Sequence, residues 1–112
     1  MRDLILEIRK FVKERNWGKF HSPKNLAIGL AIEVSEILEI FLWLSQRESY
    51  NLSKKQINHL KEEIGDVMIY LANLADKFGL NPIECAKEKL KINAKKYTVN
   101  IVKGSAKKYT EY

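Results

Sequence analysis

The sequence has few of the residues that make cross-links and tight turns. Its 112 residues include one cysteine, two prolines and five glycines. One cysteine excludes a disulfide scaffold, and so few turn-forming residues argue against a sheet protein with many tight turns. Cys85 is expected to be a small buried apolar residue. A lone cysteine fits a reducing compartment, and we expect a cytoplasmic protein.

The sequence also lacks an uninterrupted hydrophobic run. The most apolar window, residues 26–44, contains Glu33, Glu36 and Glu39. A carboxylate near the centre of a bilayer costs about 2.5–3.5 kcal/mol even on a lenient insertion scale. The first fifteen residues are amphipathic and carry acidic side chains, unlike a signal peptide. We therefore expect neither a transmembrane span nor a signal peptide.

The net positive charge is confined to the last quarter of the chain. Twenty basic and 14 acidic residues give a net charge of +6, and residues 85–112 carry the whole excess. Such a segment attracts a polyanion, such as nucleic acid, acidic lipid or the phosphates of a nucleotide. A solvated helix face followed by a soluble tail would have the same composition. The charge alone leaves these alternatives open.

Hydrophobic residues recur at helical spacing through most of the chain. The first predicted helix can be capped by Asp3 and runs to about Arg15. Ser22 followed by Pro23 is a strong signal for the start of a helix. Serine supplies a capping oxygen, and the backbone N–H that proline lacks would have no hydrogen-bond partner in the first helical turn. The second predicted helix continues from there to about Ser45.

Two further helices complete the prediction. After a polar loop at residues 46–52, Ser53 with Gln56 forms a capping-box pattern that opens the third helix, and Gly79 can end it. The fourth helix spans about residues 82–97, and residues 98–112 are expected to form a mostly extended tail. The sequence thus predicts one all-α, four-helix bundle-like domain over residues 1–112.

The second predicted helix is apolar almost all round. A helix that is apolar on every side is buried on every side, which a four-helix monomer of this size rarely achieves. We therefore predict a homo-oligomer with this helix near its centre. The apolar residues on its two sides are Ala31, Leu38 and Leu42, and Leu26, Ile37 and Ile40.

Four carboxylates stand within the second and third predicted helices. Glu33 with Glu36, and Glu63 with Asp66, are each spaced i, i+3, which places both side chains of a pair on one helix face. Two such helices side by side would collect four acids, and a fold tolerates this where a cation lies between them. Oxygen donors without histidine or cysteine suit Mg²⁺, or Mn²⁺, better than a di-iron centre. A solvated acidic face, or one paired with lysines, is the alternative.

The two acidic pairs stand in a longer pattern. Glu33-Val-Ser-Glu36 followed by Glu63-Ile-Gly-Asp66 resembles the ExxE…ExxD signature of MazG-like nucleoside triphosphate pyrophosphohydrolases. The surrounding segments look like the same family over nearly the whole chain, and the tail is similar to that of its dCTP pyrophosphatase branch. These segments are residues 20–26, 33–43, 62–71, 89–97 and 103–111.

The resemblance implies an oligomeric all-α enzyme, a dimer or a tetramer, that requires Mg²⁺. It implies cleavage of a nucleoside triphosphate, with dCTP or a modified dCTP as the expected substrate, to the monophosphate and pyrophosphate. It also implies that the four carboxylates are the catalytic metal ligands. By chemistry, a carboxylate that is not fully committed to the metal can take the proton of the attacking water, and Glu36 and Glu63 are both candidates. The residues matching substrate-contacting positions are Trp17, Trp43 and Tyr70 around the nucleotide, and Lys89 and Asn93 as polar contacts.

Some positions leave more than one interpretation. His21 is a candidate contact for the base or sugar, or a loop residue that forms hydrogen bonds. His59 is placed on the polar side of the third helix and is given no role. Leu42 stands where the family commonly has glutamine, so base preference stays open. Two competing functions remain, a nucleic-acid-binding module using the basic tail and a metal-stabilised interaction module without turnover. Nucleic acid is not the expected partner, because that function leaves the acidic pairs unexplained.

Overall fold

A computed structural model of the chain describes residues 1–96, so the predicted tail at residues 98–112 lies outside the described residues. The described part contains helices and a single 3-10 turn but no strand, which confirms the all-α prediction. None of its helices is long and apolar enough to cross a membrane. The elements are α1 (Arg2–Glu14), the 3-10 turn (Gly18–Phe20), α2 (Pro23–Phe41), α3 (Gln46–Ser49), α4 (Lys54–Asp76) and α5 (Pro82–Lys96).

The chain divides into two compact units. The first, Met1–Asn81, contains α1 to α4, and the second, Pro82–Tyr112, contains α5. Within the first unit α4 is the central element, because it packs against both α2 and α1. A single domain over the whole chain stays a prediction.

Three predicted helix-end signals are present in the structure. The Ser22 side chain accepts a hydrogen bond from the backbone N–H of Asn25 at 3.1 Å, with Pro23 in the first turn of α2. Ser53 and Gln56 exchange both hydrogen bonds of a capping box at the start of α4. Gly79 adopts φ +67°, a conformation that glycine reaches without strain, and it turns the chain after α4.

Two predicted helix ends were wrong. Asp3 is not a cap: α1 begins at Arg2, and Asp3 lies in its first turn, where a negative charge still favours the helix dipole. The second helix ends at Phe41 rather than near Ser45, and part of the predicted loop is the one-turn helix α3. The cause is a second capping box, in which Ser45 and Glu48 satisfy each other's backbone N–H groups.

The core of the first unit lies where α4 meets α1 and α2. Ile8 of α1, Leu26 of α2 and Ala72 of α4 are its buried apolar residues. At the surface of the same contact, Arg9 donates two hydrogen bonds to Asp76, from Nε at 2.8 Å and from Nη2 at 2.5 Å. This bidentate pair holds α1 against the end of α4, and its hydrogen bonds lower the pKa of Asp76.

Several large apolar side chains of α2 are exposed in the described part of the chain. Leu26 is the buried residue of this helix, whereas five large apolar side chains on it are about half exposed. Oligomerisation, predicted from the apolar character of this helix, therefore stays a prediction. The exposed apolar side chains are a surface that a second copy of the chain could contact. These side chains are Ile28, Ile32, Val34, Leu38 and Leu42, at the helix C-cap.

The expected burial of Cys85 was wrong. Its side chain is exposed on α5, a helix with no buried residue in its described length. A small apolar residue is buried only where another element covers its face of the helix, and the sequence alone does not show which faces are covered.

Candidate active site

Three of the four predicted metal ligands meet where α2 packs against α4. One carboxylate oxygen from each of Glu33, Glu36 and Glu63 lies within 4.8 Å of the other two. The i, i+3 spacing presents the two α2 carboxylates together, and the packing of the helices brings the third from α4. Glu63 is only 7% exposed, and the other two are half-buried.

The cluster is electrostatically strained as an all-anionic group. Burial, and then the charge of Glu36, raises the pKa of Glu33. A hydrogen bond with Glu63, and then the charge of Glu63, raises the pKa of Glu36. Both pKa shifts reflect the free-energy cost of holding several negative charges close together in a partly desolvated site. A divalent cation between the oxygens would remove that cost.

Two oxygens of the cluster have no hydrogen-bond partner. Oε2 of Glu33 and Oε2 of Glu63 are both buried, and no donor among the described residues reaches either atom. A buried acceptor without a donor costs about 1–3 kcal/mol, and more when it is charged. Unpartnered carboxylate oxygens are the ligands that a hard divalent cation uses, so the donor set fits such an ion.

Asp66 stands apart from this group of three. It lies one turn after Glu63 on α4, is exposed, and contributes to the raised pKa of Glu33 through its charge. It also lines the neighbouring cavity. Its role as a fourth ligand stays a prediction.

A cavity of about 440 Å³ lies within the first unit, and Asp66 is the predicted metal ligand that lines it. Asp66 and Tyr70 line it from α4, and Trp17 and His21 line it from the segment that joins α1 to α2. Its wall is mostly apolar with a few polar groups, the usual character of a small-molecule site. The structure thus brings four of the predicted site residues to one cavity.

The aromatic residues of the cavity are held by their neighbours. Trp17 packs edge-on against Phe11, with ring centroids 5.6 Å apart and an interplanar angle of 72°. The Arg15 guanidinium lies 3.7 Å from the centroid of the Phe11 ring and 5.9 Å from that of Trp17. This stack fixes the indole at the rim of the cavity.

Tyr70 depends on a glycine of the facing helix. Its ring lies on Gly29 of α2, where an added Cβ would overlap the ring atoms. Gly29 is one turn before Glu33, and Tyr70 is one turn after Asp66. The close contact at Gly29 therefore holds the ring of Tyr70, which lines the same cavity as Asp66.

Two residues of this region were not predicted from the sequence. Asn73 lines the cavity, and its Nδ2 lies 3.3 Å from Nδ1 of His21. This contact agrees with a hydrogen-bonding role for His21, and its contact with a base or sugar stays a prediction. His59, which was given no role, places Nε2 at 3.3 Å from Oε1 of Glu63. The signals were available: Asn73 follows Tyr70 at i+3, and His59 precedes Glu63 at i−4.

Trp43 does not line this cavity, and two further predicted substrate contacts belong to the second unit. Trp43 is 88% exposed beyond the end of α2 and is absent from the lining of the cavity described above. Lys89 and Asn93 both lie on α5 in the second unit, with Lys89 exposed and Asn93 half-buried. Their contact with a nucleotide stays a prediction.

The chain is similar to curated proteins that have been named for their activity. It is 38% identical to dCTP pyrophosphatase 1 of Mus musculus and 36% identical to that of Homo sapiens, each over 104 residues. Each alignment covers 91% of this chain and 61% of the mammalian protein. The chain therefore spans about three fifths of the length of these curated relatives.

A solved structure is similar over nearly its full length. A pyrophosphatase from Archaeoglobus fulgidus superimposes with a TM-score of 0.82 at 43% identity, covering 88% of this chain and 92% of that one. The MazG-like family pattern matches residues 28–112, which include all four predicted ligands. These findings confirm the resemblance drawn from the two acidic motifs, and the chain belongs to the MazG-like family.

Proposed function

We propose that this protein is an Mg²⁺-dependent nucleoside triphosphate pyrophosphohydrolase. Its substrate would be dCTP or a modified dCTP, and its products the monophosphate and pyrophosphate. The observation that carries the proposal is the cluster of Glu33, Glu36 and Glu63, in which two buried oxygens have no partner among the described residues. Asp66, one turn after Glu63, lines an aromatic-walled cavity in the same unit. The names of the mammalian and archaeal relatives support the same reaction class.

The carboxylates would hold the cation, with Asp66 as the fourth ligand. When bound, Mg²⁺, or Mn²⁺ in its place, neutralises charge on the phosphates and favours in-line attack by water at the α-phosphorus. The water oxygen bonds to the α-phosphorus, the bond to the α–β bridging oxygen breaks, and pyrophosphate leaves. Glu36 or Glu63 accepts the proton of the attacking water.

The cavity that Asp66 lines would receive the nucleoside. Trp17 offers a flat face for the base, and stacking on an aromatic side chain contributes about 1–3 kcal/mol per base. The His21–Asn73 pair presents polar atoms at the same cavity, and Tyr70 lines it as well. Trp43, Lys89 and Asn93 are proposed as further substrate contacts on the resemblance to the family.

A second copy of the chain would cover the exposed apolar side chains of α2. The half-exposed apolar side chains on this helix form a surface that a soluble monomer does not usually leave in water. We place the dimer or tetramer interface there, and the cytoplasm is the proposed location. Light scattering at micromolar concentration should give twice or four times the chain mass, and a stable monomer would contradict the interface.

The reaction is tested by incubating the purified protein with dCTP and Mg²⁺ and separating the products by anion exchange. Equal amounts of dCMP and pyrophosphate would establish cleavage between the α- and β-phosphates, and chelation of the metal should abolish it. Formation of dCDP and phosphate would contradict the bond assignment. Absence of turnover across a panel of nucleotides, with Mg²⁺-dependent melting retained, would favour the metal-stabilised module.

A further inference from the structure

His59 lies beside Glu63, the most buried carboxylate of the cluster. Its Nε2 lies 3.3 Å from Oε1 of Glu63, while Oε2 of the same carboxylate is buried and has no hydrogen-bond partner among residues 1–96. The two oxygens of Glu63 therefore have different surroundings: Oε1 lies beside an imidazole, whereas Oε2 is buried away from any donor among the described residues. One oxygen of Glu63 also lies within 4.8 Å of an oxygen of Glu33 and of Glu36. The MazG-like resemblance assigns a role to Glu63 and none to His59.

We propose that His59 is a positioning residue that occupies one oxygen of Glu63 and leaves the other to bind a divalent cation. The inference rests on the proposed function for the existence of the cation site. His59 would act as an outer-shell partner, a residue that orients a metal ligand without touching the metal. With Oε1 engaged by the imidazole, Glu63 presents a single oxygen to the ion at a fixed angle.

Helix α4 alone brings the side chains of His59 and Glu63 together. His59 and Glu63 are one turn apart on α4, so their side chains are neighbours on the same face. The side chain of His59 is 54% exposed and that of Glu63 is 9% exposed, so a solvent-accessible imidazole contacts a buried carboxylate. Without the imidazole, Oε1 would lose this contact, and the carboxylate would gain freedom to rotate.

A simple charge effect predicts the opposite result. If His59 acted only as a positive charge near the cluster, its removal would strengthen cation binding, because like charges repel. If it positions Glu63, its removal weakens cation binding. The sign of the change in metal affinity therefore separates the two roles.

The test is a titration of the nucleotide-free protein with Mn²⁺, followed by electron paramagnetic resonance of the free ion. His59→Ala should raise the Kd for Mn²⁺ about tenfold, the lower end of the range for outer-shell partners because the imidazole is half exposed. His59→Gln keeps an N–H donor of similar reach and should restore most of the affinity. Asn58→Ala, at the exposed neighbouring position of α4, is the matched control and should leave the Kd unchanged.

A second readout uses the dependence of dCTP hydrolysis on metal concentration. His59→Ala should raise the metal concentration for half-maximal rate by the same factor, with kcat at saturating metal nearly unchanged. An unchanged or lower Kd for Mn²⁺ in His59→Ala, or no rescue by His59→Gln, would overturn the positioning role even if dCTP is hydrolysed. A weaker Mn²⁺ affinity in a protein that hydrolyses no nucleotide would support the positioning role and contradict only the proposed function.

Discussion

Replacing Glu63 by glutamine tests the electrostatics of the cluster. The change removes one charge and keeps the shape of the side chain. In the metal-free protein, the lost charge relieves repulsion with Glu33, whose carboxylate lies within 4.8 Å. At that separation two unit charges repel by about 0.9 kcal/mol in bulk water and by about 3.5 kcal/mol at an effective dielectric constant of 20.

We therefore expect Glu63→Gln to stabilise the metal-free protein. A half-buried site lies between the two dielectric limits, so the gain in unfolding free energy should be about 1–3 kcal/mol. For a domain near 100 residues this corresponds to a rise in Tm of at least about 4 °C. The new amide can also donate to the carboxylates that it faces, which acts in the same direction.

The same substitution should remove most of the stabilisation by metal. At a concentration of 100 times its Kd, a ligand stabilises the native state by about 2.7 kcal/mol. Loss of even an outer-shell partner weakens metal binding by about 10–100-fold, so loss of a ligand should weaken it by at least about 100-fold. The stabilisation would then fall to about 0.4 kcal/mol.

The assay is thermal melting with and without Mg²⁺, read together with dCTP turnover. The expected pattern is a higher Tm without metal, a smaller shift on adding metal, and turnover lowered by at least about 100-fold. Glu62→Gln makes the same charge change one residue away at an exposed position, and it should alter all three readouts little. A lower metal-free Tm, or a metal-induced shift equal to that of the wild type, would refute the reasoning for Glu63.

Three further predictions concern other parts of the first unit. Leu26→Ala should lower the free energy of unfolding by about 2–5 kcal/mol, because Leu26 is 1% exposed. A decrease in unfolding free energy below about 1 kcal/mol, measured by chemical denaturation, would show that Leu26 is not a core residue. Asp76→Asn should lower the Tm at neutral pH, and the difference from the wild type should vanish on acidification. The reason is that Arg9 lowers the pKa of Asp76 in the folded protein. The stabilisation by the pair is therefore present above the ordinary aspartate pKa of about 3.9 and is lost as the pH falls through the pKa of the folded state. A difference that persists unchanged at strongly acidic pH would contradict the role of the pair. Trp17→Ala should raise KM for dCTP by about 5–150-fold, the equivalent of the 1–3 kcal/mol of base stacking; an unchanged KM in steady-state kinetics would remove Trp17 from the nucleotide site.

Most of the helical framework follows from local sequence. The ends marked by Ser22 and Ser53 lie where the sequence predicts them, because a cap needs only residues within one turn of each other. The missed helix α3 obeys the same rule, since Ser45 and Glu48 carry an equally local signal. The His59–Glu63 contact was also local and could have been predicted from its spacing.

The sequence by itself determined which carboxylates share a helix face, because the helical period places Glu33 beside Glu36 whatever the rest of the chain does. Only the tertiary structure decided which of them meet. The packing of α2 on α4 brings Glu63 to the α2 pair and leaves Asp66 at the cavity instead.

The same packing pairs Asn73 with His21 across 52 positions of sequence and seats Tyr70 on Gly29. Contacts of this kind depend on the crossing and the separation of two helices. These are set by the fit of many side chains at once, and no single spacing in the sequence encodes them.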